Sequence, residues 1–239
     1  MFYYLSADYS LRGWKMQPCV LLKSSGAKLI HLDPDAFRLL VLCDGKRSLE
    51  DDLLTDKQKT LLRQYLKDGT VNASKSPHPT SSEQKYRYYH NRFIPNVLWS
   101  ITGRCNFRCR HCYMDAPGAA MGQLSTEDCL KLIRQMAKSG ITRIELTGGE
   151  PLVRQDFWQI FDKLQEEGIC VAQIYTNGWL VNDDLLNGFE KRGQKPSFSM
   201  SFDGIGWHDW MRGVQGAEKK TLEALSVCHR RGFPTNVPP

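Results

Sequence analysis

Long apolar runs are missing from this 239-residue chain. None approaches the roughly 20 residues that a membrane-spanning helix needs. The first residues, Met1-Phe2-Tyr3-Tyr4, lack the basic opening of a secretory signal. Strong charge is missing too. A formal net charge of +6 argues only weakly for an anionic partner, and nucleic-acid binders concentrate such charge into a stripe. Basic residues cluster only locally here, at Arg104, Arg108 and Arg110, and that patch reads equally as a solvated loop face or as a neighbour for an anionic group. A disulfide framework is not in the pattern either: the eight cysteines are unevenly placed, and three sit in one short run. That usage fits a reducing cytosol, so the expectation is a cytoplasmic protein without a membrane partner and without nucleic acid as its substrate. What is present, 41% hydrophobic and 24% charged residues, is the composition of an ordinary soluble globular protein. The length suits one large domain, or a small one followed by a larger one.

Residues 1–72 read as the small domain. Cys19-Val20-Leu21-Leu22-Lys23 and Ala27-Lys28-Leu29-Ile30-His31-Leu32 have strand character and are joined by a hairpin turn at Ser24-Ser25-Gly26. Asp33-Pro34 supplies an N-cap with proline at the first helical position. Phe37, Leu40 and Val41 give that helix an apolar face, and Asp44-Gly45 is expected to end it. Thr55 and Gln58 form a capping-box pattern ahead of Leu61, Leu62, Tyr65 and Leu66. Strands followed by short helices make a winged-helix-like α+β unit. Residues 73–92 begin polar, serine-rich and proline-rich and read as a linker. Tyr86 to Phe93, aromatic and basic, is expected to pack on the rim of the domain that follows.

From residue 93 onward, short strand-like runs alternate with helical ones, the signature of a parallel sheet built from crossovers. Strands are expected at 97–101, 143–147, 170–175 and 197–202, with 234–237 beginning a fifth. The helices between them fall near 126–139, 155–167, 182–192 and 217–231, the first capped by Ser125 or Thr126 and carrying Leu130, Ile133 and Met136 at helical spacing.

Between the first strand and the first helix lies Cys105-Asn106-Phe107-Arg108-Cys109-Arg110-His111-Cys112, a C-x3-C-x2-C run. Three thiolates on one loop cannot fill the four positions of a structural zinc site. Four-iron clusters usually take four cysteines, so three would leave one iron with an open position. This spacing resembles that of the radical S-adenosylmethionine (radical SAM) enzymes. The resemblance implies a 4Fe–4S cluster on Cys105, Cys109 and Cys112, whose open iron binds the amino and carboxylate groups of SAM. It also implies that one electron, delivered by a flavodoxin- or ferredoxin-type donor, cleaves SAM to a 5′-deoxyadenosyl radical. His111 stands where the family usually has an aromatic residue beside the adenine, and a histidine could stack there.

Further motifs extend the resemblance. Thr147-Gly148-Gly149-Glu150-Pro151 follows a strand-like run. Paired glycines at the carboxyl end of a parallel strand admit close approach of a ligand, and in the family the segment Gly148, Gly149, Glu150, Pro151 meets the SAM amino group. Thr176 and Asn177 are similar to the family's Thr-Asn-Gly segment facing the SAM pocket, while an ordinary Asn-Gly turn explains them equally well. Ser201, Asp203 and Gly204 resemble the Ser-x-Asp-Gly strand end, followed by His208-Asp209 and Met211-Arg212-Gly213. The resemblance gives Ser201 and Arg212 the SAM carboxylate, which a guanidinium fork suits, and leaves Asp203 to anchor the turn or a nearby hydroxyl. A surface salt bridge is the plainer alternative for Arg212. Cys19, Cys43, Cys129, Cys170 and Cys228 are scattered and read as small core residues.

The expected fold is therefore α/β: a partial (β/α) radical SAM barrel with parallel strands over 93–239, preceded by the winged-helix-like domain. Fewer strand–helix units are present than the family's barrel contains, so a C-terminally truncated chain is expected, without the SPASM extension that binds further clusters. In the first domain, His31-Leu32-Asp33, Phe37 and Leu42-Cys43-Asp44-Gly45-Lys46-Arg47-Ser48 resemble the peptide-binding domain of pyrroloquinoline quinone biosynthesis, one of the RiPP recognition elements that grip the leader of a ribosomally made, post-translationally modified peptide. An exposed edge strand can accept such a leader as an added strand. A generic winged helix that binds nothing, or DNA through Lys57, Lys59, Arg63 and Lys67, stays open. The function expected is radical SAM modification of a ribosomal precursor peptide. The alternatives are a maturase of a haem- or quinone-type cofactor, or a non-catalytic iron–sulfur or peptide-binding protein.

Overall fold

The computed structural model describes residues 1–24, 28–49, 53–116 and 121–238. The chain divides into two compact units, Met1–Ile94 with Lys138–Gly140, and Pro95–Ala137 with Ile141–Pro239. No helix among the described residues is long and apolar enough to cross a membrane.

The first unit is richer in strands than its sequence advertises. It contains β1 (Phe2–Leu5), β2 (Tyr9–Trp14), β3 (Gln17–Lys23), β4 (Lys28–His31), α1 (Pro34–Leu42), β5 (Asp44–Ser48), α2 (Asp56–Lys67), β6 (Val71–Ser74) and β7 (Arg87–Tyr89). These form a three-stranded antiparallel sheet, β5-β1-β6, and a second sheet, β4-β3-β2-β7, in which only the β2–β7 pair is parallel. The expected hairpin strands are present; of the turn expected at Ser24-Ser25-Gly26, residues 25 and 26 lie outside the described residues. Both expected helix starts are built as read. The Asp33 carboxylate accepts from the N–H groups of Asp35 and Ala36, and Thr55 and Gln58 make the reciprocal capping box. Leu5, Leu11, Leu21, Leu39, Leu40, Leu62 and Val71 form the core.

Asp44-Gly45 does more than end α1: it opens β5. The Gly45 backbone has φ 68°, and a Cβ there would coincide with the His78 carbonyl oxygen. His78 N donates to Gly45 O at 2.8 Å, and Thr80 N donates to Asp44 O at 3.1 Å. Residues 73–92, expected as a linker, are thus held within the first unit by main-chain bonds and by β7.

The second unit carries a five-stranded parallel sheet in the order β12-β11-β10-β9-β8. Its strands are β8 (Val97–Ser100), β9 (Arg143–Thr147), β10 (Cys170–Thr176), β11 (Ser197–Met200) and β12 (Thr235–Asn236), and its helices are α3 (Thr126–Lys138), α4 (Phe157–Glu166), α5 (Asp183–Lys191), α6 (His208–Arg212) and α7 (Ala217–Arg230). Sequence order equals spatial order, which is how a (β/α) barrel winds. Register places Trp99, Leu146, Ile174 and Phe198 in one row. All four are buried, against Ile133, Phe161, Phe189 and Ala224 of the helices. The opposite face carries Leu98, Glu145, Gln173 and Ser197 in register. Ser125 is the cap of α3, accepting from Asp128 N at 3.1 Å, while Thr126 donates instead to Asp156. The buried Arg154 guanidinium donates to the carbonyls of Ile101 and Leu124 and to Asp156, fixing the end of β8 where the cysteine run begins. Of the scattered cysteines, Cys43, Cys129 and Cys228 are buried and Cys19 and Cys170 partly so.

Candidate functional site

The cysteine loop is pinned from two sides. On one, Gly149 N donates to Thr102 O and Glu150 N to Arg104 O, both at 2.9 Å. A Cβ on Gly148 would stand 2.4 Å from Thr102 O, and one on Gly149 2.4 Å from Arg104 O. The paired glycines, expected to admit a ligand, admit the backbone of the cysteine loop itself. On the other side, Arg108 N donates to Arg212 O at 3.2 Å and Arg110 N to Met211 O at 2.9 Å. Gly213, at φ 66°, lets Arg108 O approach to 2.5 Å of where its Cβ would be. Phe107 anchors the centre of the loop, 2% exposed and edge-on to Trp179. Because the atoms facing Gly149 belong to the main chain, Gly149→Ala is expected to displace the loop and to cost about 1–3 kcal/mol of stability. Denaturant unfolding measures the cost, and an unchanged midpoint would show that the loop yields freely.

Cys105, Cys109 and Cys112 open onto one cavity of about 590 Å³, whose wall also includes His111, Gly148, Gly149, Thr176, Asn177, Ser201, Asp203 and Arg212. A larger groove beside α7, about 1010 Å³, contains none of the residues expected to hold the cluster or SAM. Each thiol has a donor. Cys105 Sγ accepts from Phe107 N at 3.3 Å, with Asn177 Nδ2 at 3.9 Å, and Cys112 Sγ accepts from Ala116 N at 3.4 Å. Arg212 Nη1 lies 3.8 Å from Cys109 Sγ. Burial pushes the Cys105 thiol up to about 11, so a cation must displace its proton before it serves as a ligand. Among the described residues, no three Cys, His, Asp or Glu side chains converge as the ligands of a single metal ion. A multi-iron cluster takes one thiolate per iron and needs its sulfurs spread around it, so three thiols on one cavity wall, each with a donor, fit such a group.

Glu150 and Pro151 are not on that wall. Glu150 is fully buried, and its carboxylate accepts from Thr176 Oγ1 at 2.9 and 3.0 Å, Asn177 N at 2.7 Å and Leu152 N at 3.1 Å. The side chain expected to meet an ammonium is engaged within the fold instead, locking the end of β9 to the end of β10. Burial raises it to about 7 against these donors. Pro151 is buried at the start of a 3-10 turn. The Asn177 side chain donates to Asn106 Oδ1 at 2.8 Å and accepts from Trp179 N at 3.0 Å.

Arg212 is not a surface ion pair: its side chain is 11% exposed. The fork expected for a ligand carboxylate grips Asp203, Nε to Oδ2 at 2.7 Å and Nη2 to Oδ1 at 3.0 Å. Nη1 remains toward the cavity. Asp203 anchors more than a turn, since its Oδ2 also lies 2.9 Å from Nδ1 of the buried His208. Sequence reasoning did not single out Asn106, Tyr175, His208 or Thr221 as site residues. Tyr175, on the cavity wall, donates to Glu145 Oε2 at 2.9 Å; strand alternation, which sets it opposite the buried Ile174, could have found it.

Comparison with known proteins fits this geometry. Over 141 residues the chain is 35% identical to the Fe-coproporphyrin III synthase of Methanosarcina barkeri, an overlap of 58% of this chain and 35% of that protein. It is 29% identical over 140 residues to the antilisterial bacteriocin subtilosin biosynthesis protein AlbA of Bacillus subtilis, covering 58% of this chain and 31% of AlbA. Its fold resembles that of Streptococcus suis SuiB, solved with bound S-adenosylmethionine, at a TM-score of 0.58 and 14% identity, over 98% of this chain and 56% of SuiB. SuiB has also been solved bound to its precursor peptide SuiA. The chain thus spans about a third of the length of these curated relatives. The sequence profile of the Radical SAM superfamily matches residues 99–238, more than half of the chain, and the protein belongs to that superfamily.

Proposed function

We propose that this protein uses Cys105, Cys109 and Cys112 to hold a 4Fe–4S cluster, binds SAM in the adjoining cavity, and modifies a ribosomally made precursor peptide. The observation that carries the proposal is the pinned cysteine loop, whose three thiols share one cavity with the ends of β9, β10 and β11. When bound, the cluster supplies the single electron that splits SAM into methionine and a 5′-deoxyadenosyl radical. The chain's own residues do the positioning. Gly148 and Gly149 hold the loop at the mouth of β9, and Glu150 and Thr176 fix the two strand ends beneath it. Asn177, Ser201 and Arg212 present polar atoms to the amino-acid end of SAM, while His111 offers a ring to the adenine. Asp203 holds the Arg212 fork in place. With cluster and SAM bound, the cavity would hold the source of a radical able to take a hydrogen atom from the substrate.

The peptide assignment draws on the first unit and on the peptide-linked proteins among the chain's matches, AlbA and SuiB. Residues 1–72 would bind the leader as an added strand, with 73–92 connecting them to a radical SAM core over 93–239. A flavodoxin- or ferredoxin-type protein would deliver the electron, in the cytoplasm. A second reading, maturation of a haem-type cofactor, is favoured by the match to Fe-coproporphyrin III synthase. The two separate in one assay. The full-length, cluster-loaded protein is incubated with SAM, dithionite and either the short peptide encoded beside its gene or a porphyrin-type precursor of Fe-coproporphyrin III. A mass change confined to the peptide is the expected result; turnover of the porphyrin alone would overturn the peptide assignment.

A further inference from the structure

Among the described residues, His208 is the one buried histidine, and it sits in a relay that joins two strand ends to the cysteine loop. Its Nδ1 lies 2.9 Å from Asp203 Oδ2 and 3.1 Å from the Asp203 backbone nitrogen. Nδ1 thus meets Asp203 at two points, its carboxylate and its backbone N–H. Nε2 lies 3.3 Å from Thr221 Oγ1. Thr221 Oγ1 also stands 3.1 Å from the carbonyl of Asn177, the residue whose side chain reaches Cys105. On the other side of Asp203, Arg212 is gripped through Nε and Nη2 and turns Nη1 toward Cys109. The ring lies against Phe202, with centroids 5.0 Å apart.

Asp203 has freedom to lose: its side chain is 20% exposed and stands on a loop beyond β11. Its bond to Arg212 alone would let the pair swing together. The bond from a ring that is itself held by Thr221 and Phe202 removes that freedom. We infer that His208 is a positioning residue which, through Asp203, sets the direction of the Arg212 guanidinium toward the cavity and Cys109. This deepens the SAM assignment of the cavity and rests on it. The consequence is a preset cation, which costs SAM less ordering when it binds.

Two substitutions separate positioning from packing. His208→Phe keeps ring volume and the contact with Phe202 but has no ring nitrogen. His208→Asn shrinks the side chain but restores a polar amide near the place of Nδ1. SAM affinity is measured by equilibrium dialysis on the cluster-loaded, full-length protein, and thermal midpoints are measured on the apoprotein. Relative to wild type, His208→Phe is expected to bind SAM about tenfold more weakly, the effect of one lost hydrogen bond to a charged group. His208→Asn is expected to stay within about twofold, despite the lower thermal midpoint of the pair. In the apoprotein, the Arg212 Nε–H is expected to exchange with water faster in His208→Phe than in His208→Asn. SAM affinity that follows thermal midpoint, or wild-type affinity and exchange in His208→Phe, would overturn the inference. Absence of SAM binding by the wild type would overturn the SAM assignment itself, and this inference with it.

Discussion

Cys109→Ala is expected to abolish both the iron–sulfur absorbance of the reconstituted protein and its formation of 5′-deoxyadenosine from SAM, down to the level of a protein-free control. With three protein ligands and one open iron, no ligand is spare. The other cysteines cannot substitute, because none of them lines the cavity. Cys43 and Cys228 are in addition buried thiols pushed up to about 12, which keeps them protonated at neutral pH. Cys109 is also the thiol that faces Arg212, so its loss removes the sulfur against which that guanidinium is set. Cys19→Ala, in the first unit, is the matched control and is expected to retain both signals. A Cys109→Ala protein that still showed the absorbance would mean that the ligand set is wrong.

Glu150→Ala is expected to be the most destabilising substitution near the site. It leaves the Asn177 and Leu152 N–H groups and the Thr176 hydroxyl without their acceptor in a fully buried place. Each orphaned group costs about 1–3 kcal/mol, so the sum is on the order of 3–9 kcal/mol, a large share of the roughly 5–15 kcal/mol that holds a domain together. Urea unfolding of the apoprotein measures it, and a loss under about 1 kcal/mol would show that water replaces the carboxylate. The same residue gives a pH signature. Its carboxyl is raised to about 7 in the folded protein from an ordinary 4.5, so the folded state holds this proton to higher pH than the unfolded chain. The stability it contributes is therefore present below about pH 4.5 and is lost as pH rises through about 7. Glu150→Gln cannot titrate, so the difference in unfolding free energy between wild type and Glu150→Gln is expected to drift against the wild type across that window. A difference that stays flat would show that the donors hold the carboxylate ionised throughout.

The parallel unit was legible in its sequence because its core rows are made of the residues that strand and helix periodicity pick out. Ile144 with Leu146, and Ile133 with Met136, fall where alternation and 3.6-residue spacing put them. The first unit was less so. In β2 the buried position next to Leu11 is Arg12, which reads as a surface residue until its guanidinium is seen donating to the carbonyls of Leu11, Glu83 and Lys85. The partners of β1 and β2 include β6 and β7, far along the chain, and no local pattern announces such pairings. At the site, spacing singled out the three cysteines, which the structure brings to one cavity. Spacing could not give direction. Glu150 points beneath the cavity, Arg212 turns its fork to Asp203, and the glycines of the Gly-Gly-Glu-Pro run face backbone from the cysteine loop. Each of these depends on contacts between segments tens of residues apart.

The central claim is that the loop bearing Cys105, Cys109 and Cys112 makes this protein a SAM-cleaving enzyme. The most direct test is the yield of 5′-deoxyadenosine when the full-length, cluster-reconstituted protein is given SAM and dithionite under anaerobic conditions. Time-dependent 5′-deoxyadenosine that vanishes in Cys109→Ala is the result expected; a fully loaded cluster that leaves SAM intact would contradict the claim.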